Sequence, residues 1–168
     1  MNTNYKRFFR RFPVILAITL LAIVGVGCQS SKKEEISIYD LQKNMLAADD
    51  SLPEMLTVNS SASEAADNFS YLSDIDYEKV DAYFLAYSAE VKADEIAVIR
   101  LKEDKDVGEA KTSLEKHAQG RVSLYKTYDP SQVERAEDAM VFTSGRYAVL
   151  IISDQKEDVR SAFLDSVG

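Results

Sequence analysis

Few residues in this chain could do chemistry, and they are scattered. One thiol (Cys28) and one imidazole (His117) stand in 168 residues, with no Trp. A single Cys and a single His cannot build a zinc site from thiolates and imidazoles, nor an intrachain disulfide. Any acid–base or nucleophilic scheme using imidazole must pass through His117. That residue follows Leu114 by three positions, near the edge of an apolar helical stripe, where a boundary residue of an ordinary helix belongs. No Gly-x-Ser-x-Gly elbow accompanies it.

Carboxylates are more abundant: Asp49-Asp50, Asp74-x-Asp76, Glu103-Asp104-x-Asp106 and Glu137-Asp138. Two carboxylates could serve a glycoside hydrolase, given a cleft and the right separation. They could also hold Ca²⁺, but no segment has the ligand order and Gly of an EF-hand loop. Each pair falls at a predicted turn or helix start, where acids accept backbone N–H groups and complement the helix dipole. The reading is therefore capping and solvation. Beyond Cys28, Tyr outnumbers Phe, and Tyr83 and Tyr87 share one face of a predicted strand with Leu85. Left uncovered by a helix, that face would offer a platform for a peptide or glycan. No Gly-rich phosphate loop, haem motif or other cofactor fingerprint occurs, so no cofactor or metal is predicted.

Cys28 takes its meaning from what precedes it. Residues 1–27 carry Lys6, Arg7, Arg10 and Arg11 and no acid, then the apolar run 13–27. A basic n-region, a short apolar h-region and small residues form the layout of an export signal. As a helix, the run would span about 22 Å, short of the roughly 30 Å hydrocarbon core. Val24-Gly25-Val26-Gly27-Cys28 resembles the lipobox of bacterial lipoproteins. The resemblance implies cleavage between Gly27 and Cys28, a diacylglyceryl group on the Cys28 thiol, and residence on the outer face of the bacterial cytoplasmic membrane. Gly25 departs from the large aliphatic residue usual there, and Gly25-x-Gly27 also suits an ordinary secretory cleavage. The overall charge of −8 averages two unlike parts: residues 28–168 carry 16 basic and 28 acidic side chains, net −12. Such a balance argues against a nucleic-acid partner. The reading divides the chain into a leader (1–27), a lipidated Cys with a polar tether (28–36) and one folded domain (37–168).

Periodicity positions the remaining residues. Ser37 and Asp40 predict the cap of a first helix carrying Ile38, Leu41 and Met45. Residues 52–58 predict an edge strand, 65–72 a short helix, and 80–87 and 95–102 two strands joined by a longer loop. In the second strand Ala97, Ile99 and Leu101 oppose Ile96, Val98 and Arg100. A long helix with Val107, Ala110, Leu114 and Ala118 on one stripe follows, and Gly120 predicts a kink or an end there. Asp129-Pro130 starts a short helix through Ala136. Ser144-Gly145-Arg146 predicts a tight hairpin between 140–143 and 147–153, the latter apolar on both faces like a central strand. Asp154 and Glu157 predict the cap of a last helix with Val159, Ala162 and Phe163. The sum is α+β: one domain with a four- to five-stranded, mainly antiparallel sheet packed by helices.

This order resembles domain-of-unknown-function family 4358. The resemblance is carried by Asp94-Glu95-Ile96-Ala97-Val98, Tyr125-Lys126-Thr127-Tyr128-Asp129-Pro130, Val133-Glu134-x-Ala136-Glu137 and Gly145-x-Tyr147, over roughly residues 37–165. It implies a small bacterial lipoprotein and attaches no activity. The function expected is a non-enzymatic, membrane-tethered module outside the cell, with an envelope protein or glycan as partner. The alternatives are a cell-envelope hydrolase using paired carboxylates and a small solute-binding lipoprotein. About 130 folded residues are few for the two-lobed architecture of solute-binding components.

Overall fold

The computed structural model describes residues 35–168, so Gly27, Cys28 and nearly all of the tether lie outside the described residues. Helix α1 (Ile38–Ala47) begins where the Ser37 hydroxyl accepts the Asp40 N–H at 3.1 Å and donates back to the Asp40 carboxylate at 2.6 Å. The expected strand runs become β1 (Met55–Asn59), β2 (Val80–Ser88), β3 (Glu95–Leu101), β4 (Met140–Ser144) and β5 (Tyr147–Ile152). They form one five-stranded antiparallel sheet in the order β1-β2-β3-β5-β4. Every β5 residue is buried, as a central strand with two covered faces requires. Gly145 takes a φ of +51° in the hairpin before it, a backbone region that penalises side chains with a Cβ.

Strand period two sorts the sheet into two faces. Phe84, Ala86, Ile96, Val98, Val149 and Ile151 meet Leu41 and Met45 of α1 and Val159 and Phe163 of α5 (Lys156–Val167). Phe163 stacks edge-on against both Phe142 and Tyr147 there. The other face presents Tyr83, Leu85, Ala97, Ile99, Ala148 and Leu150. It is covered by α2 (Ala65–Phe69), α3 (Val107–Tyr128) and α4 (Val133–Glu137). The architecture is α+β in a single unit, residues 35–168. No helix among the described residues is long and apolar enough to cross a membrane.

Three expectations need correction. Helix α3 runs through Gly120 without a break, because Leu114, Ala118, Val122 and Tyr125 keep one buried stripe across it. A Cβ at Gly120 would meet nothing within 4 Å, so the glycine marks an exposed position and no kink. Asp154 does not cap α5: it pairs with Arg135 Nη2 at 2.5 Å, and the N–H of Gln155 is accepted by Asp49 at 3.3 Å. The folded unit also begins earlier than residue 37. Glu35 accepts two hydrogen bonds from Arg146 Nη2, at 2.7 and 2.9 Å, and one from the Tyr147 hydroxyl at 3.2 Å. The Ile36 carbonyl accepts from Arg100 Nη1 at 2.9 Å. These contacts tie the end of the expected tether to the sheet.

Candidate functional site

Two of the acidic pairs accept backbone N–H groups, through Asp49 and Asp76, and the rest are held by cations and hydroxyls. Asp49 accepts the Ser51 N–H (2.8 Å), the Ser51 hydroxyl (2.5 Å) and the Gln155 N–H. Burial pushes the Asp49 carboxyl up, but these hydrogen bonds outweigh it and hold the group below its ordinary value. Asp74 accepts from Lys116 and from the Ser113 hydroxyl, which bring its pKa down to about 2. Asp76 accepts the Glu78 N–H at 2.9 Å, Glu103 pairs with Lys105, Asp106 with Lys79, and Glu137 with Lys126. Among the described residues no three His, Cys, Asp or Glu side chains are grouped to hold a metal.

The two tyrosines of the expected platform part company. Tyr83 is fully buried, packed edge-on by Phe69 and Tyr77, and its hydroxyl donates to the Ala65 carbonyl at 2.6 Å. Burial, first, and Tyr77 push its pKa up to about 12. Tyr83 is therefore core and no part of a binding face, because α2 lies over it. Tyr87, one strand pitch further along the same face, is only half-buried. The uncovered face exists, but it starts where α2 stops.

Pairing register identifies the residues around Tyr87. Leu56 lies opposite Tyr87, Tyr87 opposite Glu95, and Glu95 opposite Ile152. Residues directly opposite share a face, so an acid stands in a row otherwise made of Leu, Tyr and Ile. Helix α2 has only five residues, and α3 packs over β5 and β4. Between them a hollow of about 390 Å³ reaches the sheet. Val58, Leu85, Tyr87 and Glu95 form its floor, Asn68 and Tyr71 one wall, His117 and Arg121 the other. A second hollow, about 320 Å³, shares Tyr71, His117 and Arg121 and continues to Leu124. Tyr71 is 79% exposed and forms the lip between them.

Glu95 organises this corner. Its side chain is 3% exposed, and it accepts from His117 Nε2 at 2.5 Å while Arg121 Nε stands 3.0 Å from its other oxygen. His117 and Arg121 are four residues apart and project from one face of α3. The guanidinium also lies 5.1 Å from the Tyr125 ring centre, and its Nη2 donates to the Tyr125 hydroxyl at 3.0 Å. The carboxylate accepts from the imidazole and stands in an ion pair with the guanidinium. Nε2 is the ring nitrogen that meets Glu95. Fixing an imidazole by a buried acid is half of a nucleophile-activating triad. The hydroxyls of the adjoining hollow are committed elsewhere: Ser70 to the Asp67 carbonyl, Ser73 to Ser113, and Ser113 to Asp74.

A family model described as a domain of unknown function, DUF4358, matches residues 52–153. The chain is a DUF4358 protein. The matched stretch takes in all five strands, α2, α3 and α4, and so the whole of the DUF4358 pocket from Val58 to Arg121. No curated protein and no solved structure matches the chain. Glu95 and Arg121 were not singled out by residue type. The signal for Glu95 was its place two residues before Ala97 on the Ala97–Ile99–Leu101 face, where period two turns its carboxylate inward. The signal for Arg121 was its helical spacing from His117.

Proposed function

We propose that this DUF4358 chain is a lipid-anchored extracytoplasmic binding module, and that it binds through the hollow between α2 and α3. The observation that carries the binding role is a hollow of ligand size floored by apolar side chains, with one buried, charge-compensated acid among them. Anchoring rests on the leader and Cys28. Two or more acyl chains give stable residence where one is marginal, and residues 29–35 reach about 24 Å at full extension. The partner is an envelope component, and nothing in the binding role requires turnover.

Two measurements test this. Mass spectrometry of the mature N-terminus is expected to find an acylated Cys28 in the membrane fraction; an unmodified Cys28 in the medium overturns the anchoring. A photo-crosslinking side chain at Tyr71, on the pocket lip, is expected to trap an envelope component in living cells, while one at exposed Tyr39 of α1 is not. Equal or absent trapping at both sites overturns the binding role. A hydrolase reading would replace it if the purified chain cleaved a cell-wall fragment and His117→Ala abolished the cleavage.

A further inference from the structure

From the charge and shape of the same hollow we infer the ligand class: an organic acid whose carboxylate pairs with Arg121 and whose apolar body lies over Leu85, Tyr87 and Val58. The inference rests on the hollow being the binding site. Its first support is the unused hydrogen-bonding capacity of Arg121. Among the described residues Nη1 has no protein acceptor, and Nε is buried without a directed hydrogen bond although Glu95 is 3.0 Å away. Nε is taken up by Glu95 and lies out of a ligand's reach, so Nη1 is the nitrogen with capacity to spare. A carboxylate is the strongest acceptor such an N–H can meet, because a hydrogen bond between two charged groups is roughly twice as strong as a neutral one.

The second support is the charge balance at the mouth. Lys92 is paired with Glu90 at 2.7 Å and Lys116 with Asp74 at 2.5 Å, so both lysines are neutralised locally. Glu95 already accepts from an imidazole and stands against a guanidinium, so an incoming cation would compete with both and lie beside Arg121. An incoming anion meets a carboxylate whose charge the Arg121 guanidinium already offsets, with the imidazole beside it. The excess acid of the whole surface acts little at this range, since charges beyond about 8 Å are largely screened at physiological salt. The third support is the floor. Leu85, Val58 and the Tyr87 ring give no hydrogen-bonding reason for a polar body, and a hollow of about 390 Å³ fits one ring or short branched chain beside its carboxylate.

The chain has one His, so the ring signals of His117 in nitrogen-resolved NMR report from the wall that the two hollows share. The full chain in detergent is titrated with phenylacetate, N-acetyl-L-phenylalanine and N-acetyl-L-leucine, and with the matched amides. The acids are expected to shift the His117 signals saturably, and the amides to bind at least about tenfold more weakly, the loss of one charge-assisted contact. Arg121→Gln should abolish the preference for acid over amide, and Arg121→Lys should restore part of it. Thermal unfolding of each variant confirms that it is folded. Equal binding of acids and amides overturns the carboxylate assignment. No shift with any of the three acids at millimolar concentration overturns the ligand class. If crosslinking from Tyr71 persists in that case, the binding role stands and only this inference has failed.

Discussion

The two faces of the sheet are built from the same five strands and covered in opposite ways. On one, α1 and α5 meet a continuous apolar surface and close it with Met45, Phe84, Val98 and Phe163, each at or near zero exposure. On the other, α3 alone is 22 residues long, whereas α2 has five and α4 five. The long helix covers β5 and β4, the short one covers Tyr83, and the corner at Tyr87 and Glu95 stays open. The lesson is that the cover's length, not the sheet's composition, decides where this fold has a pocket. A buried acid is tolerated at that corner because α3 delivers two nitrogen groups to it.

The comparison can be broken or sharpened by substitution. The largest effect is expected on the closed face: Phe163→Ala should cost about 3–5 kcal/mol in urea unfolding, leaving a cavity that Phe142 and Tyr147 cannot fill. At the open corner, Glu95→Leu should destabilise by about 1–3 kcal/mol, since His117 loses its acceptor and the buried Arg121 Nε its counter-charge. A loss as large as that for Phe163→Ala would mean the corner is as closed as the other face. Tyr83→Phe should cost about 1 kcal/mol by leaving the Ala65 carbonyl without its donor.

Asp49→Ala is expected to cost about 1 kcal/mol at neutral pH, for the lost capping bonds. Because the folded-state pKa of Asp49 is depressed, its contribution is present above the unfolded value near 3.8. It is lost as pH falls through the lower folded value. The gap between wild type and variant should therefore stay constant down to about pH 4 and close only as pH falls below the folded value. The smallest effect has the opposite sign: Gly120→Ala should stabilise α3 by about 0.5–1 kcal/mol, since the position is open and helical. A destabilised variant would show that α3 needs the glycine.

Much of the fold was legible because each signal was local. The Ser37–Asp40 cap, the apolar residues 147–152 and the Gly145 turn each specify their own element. The closed face followed from period two in the strands and helical spacing in α1 and α5. The site was half legible. Tyr87 was found and Tyr83 was placed with it, because a strand pattern cannot show how far a helix from elsewhere in the chain will extend over it. Glu95 looked like one of many acids at a strand start, and only the pairing Leu56–Tyr87–Glu95–Ile152 shows it inside an apolar row. Asp154 fits a cap by spacing, yet Asp49, 106 residues from Gln155, lies at that helix start. Tertiary partners override spacing in such cases.

The clamp on Glu35 has a consequence for reach. Arg100 and Arg146, which hold Glu35, mark one end of β3, and Glu95 marks the other. Five residues of antiparallel strand separate them by about 17 Å. The chain thus enters its folded body at one end and opens its pocket toward the other, with a stiff strand as the spacer. Whatever crowds the point of entry is kept about a strand's length from the mouth. On the proposed anchoring at Cys28, lengthening or shortening the segment before Glu35 would change how far the mouth stands from the anchor, and would leave the geometry of the mouth untouched.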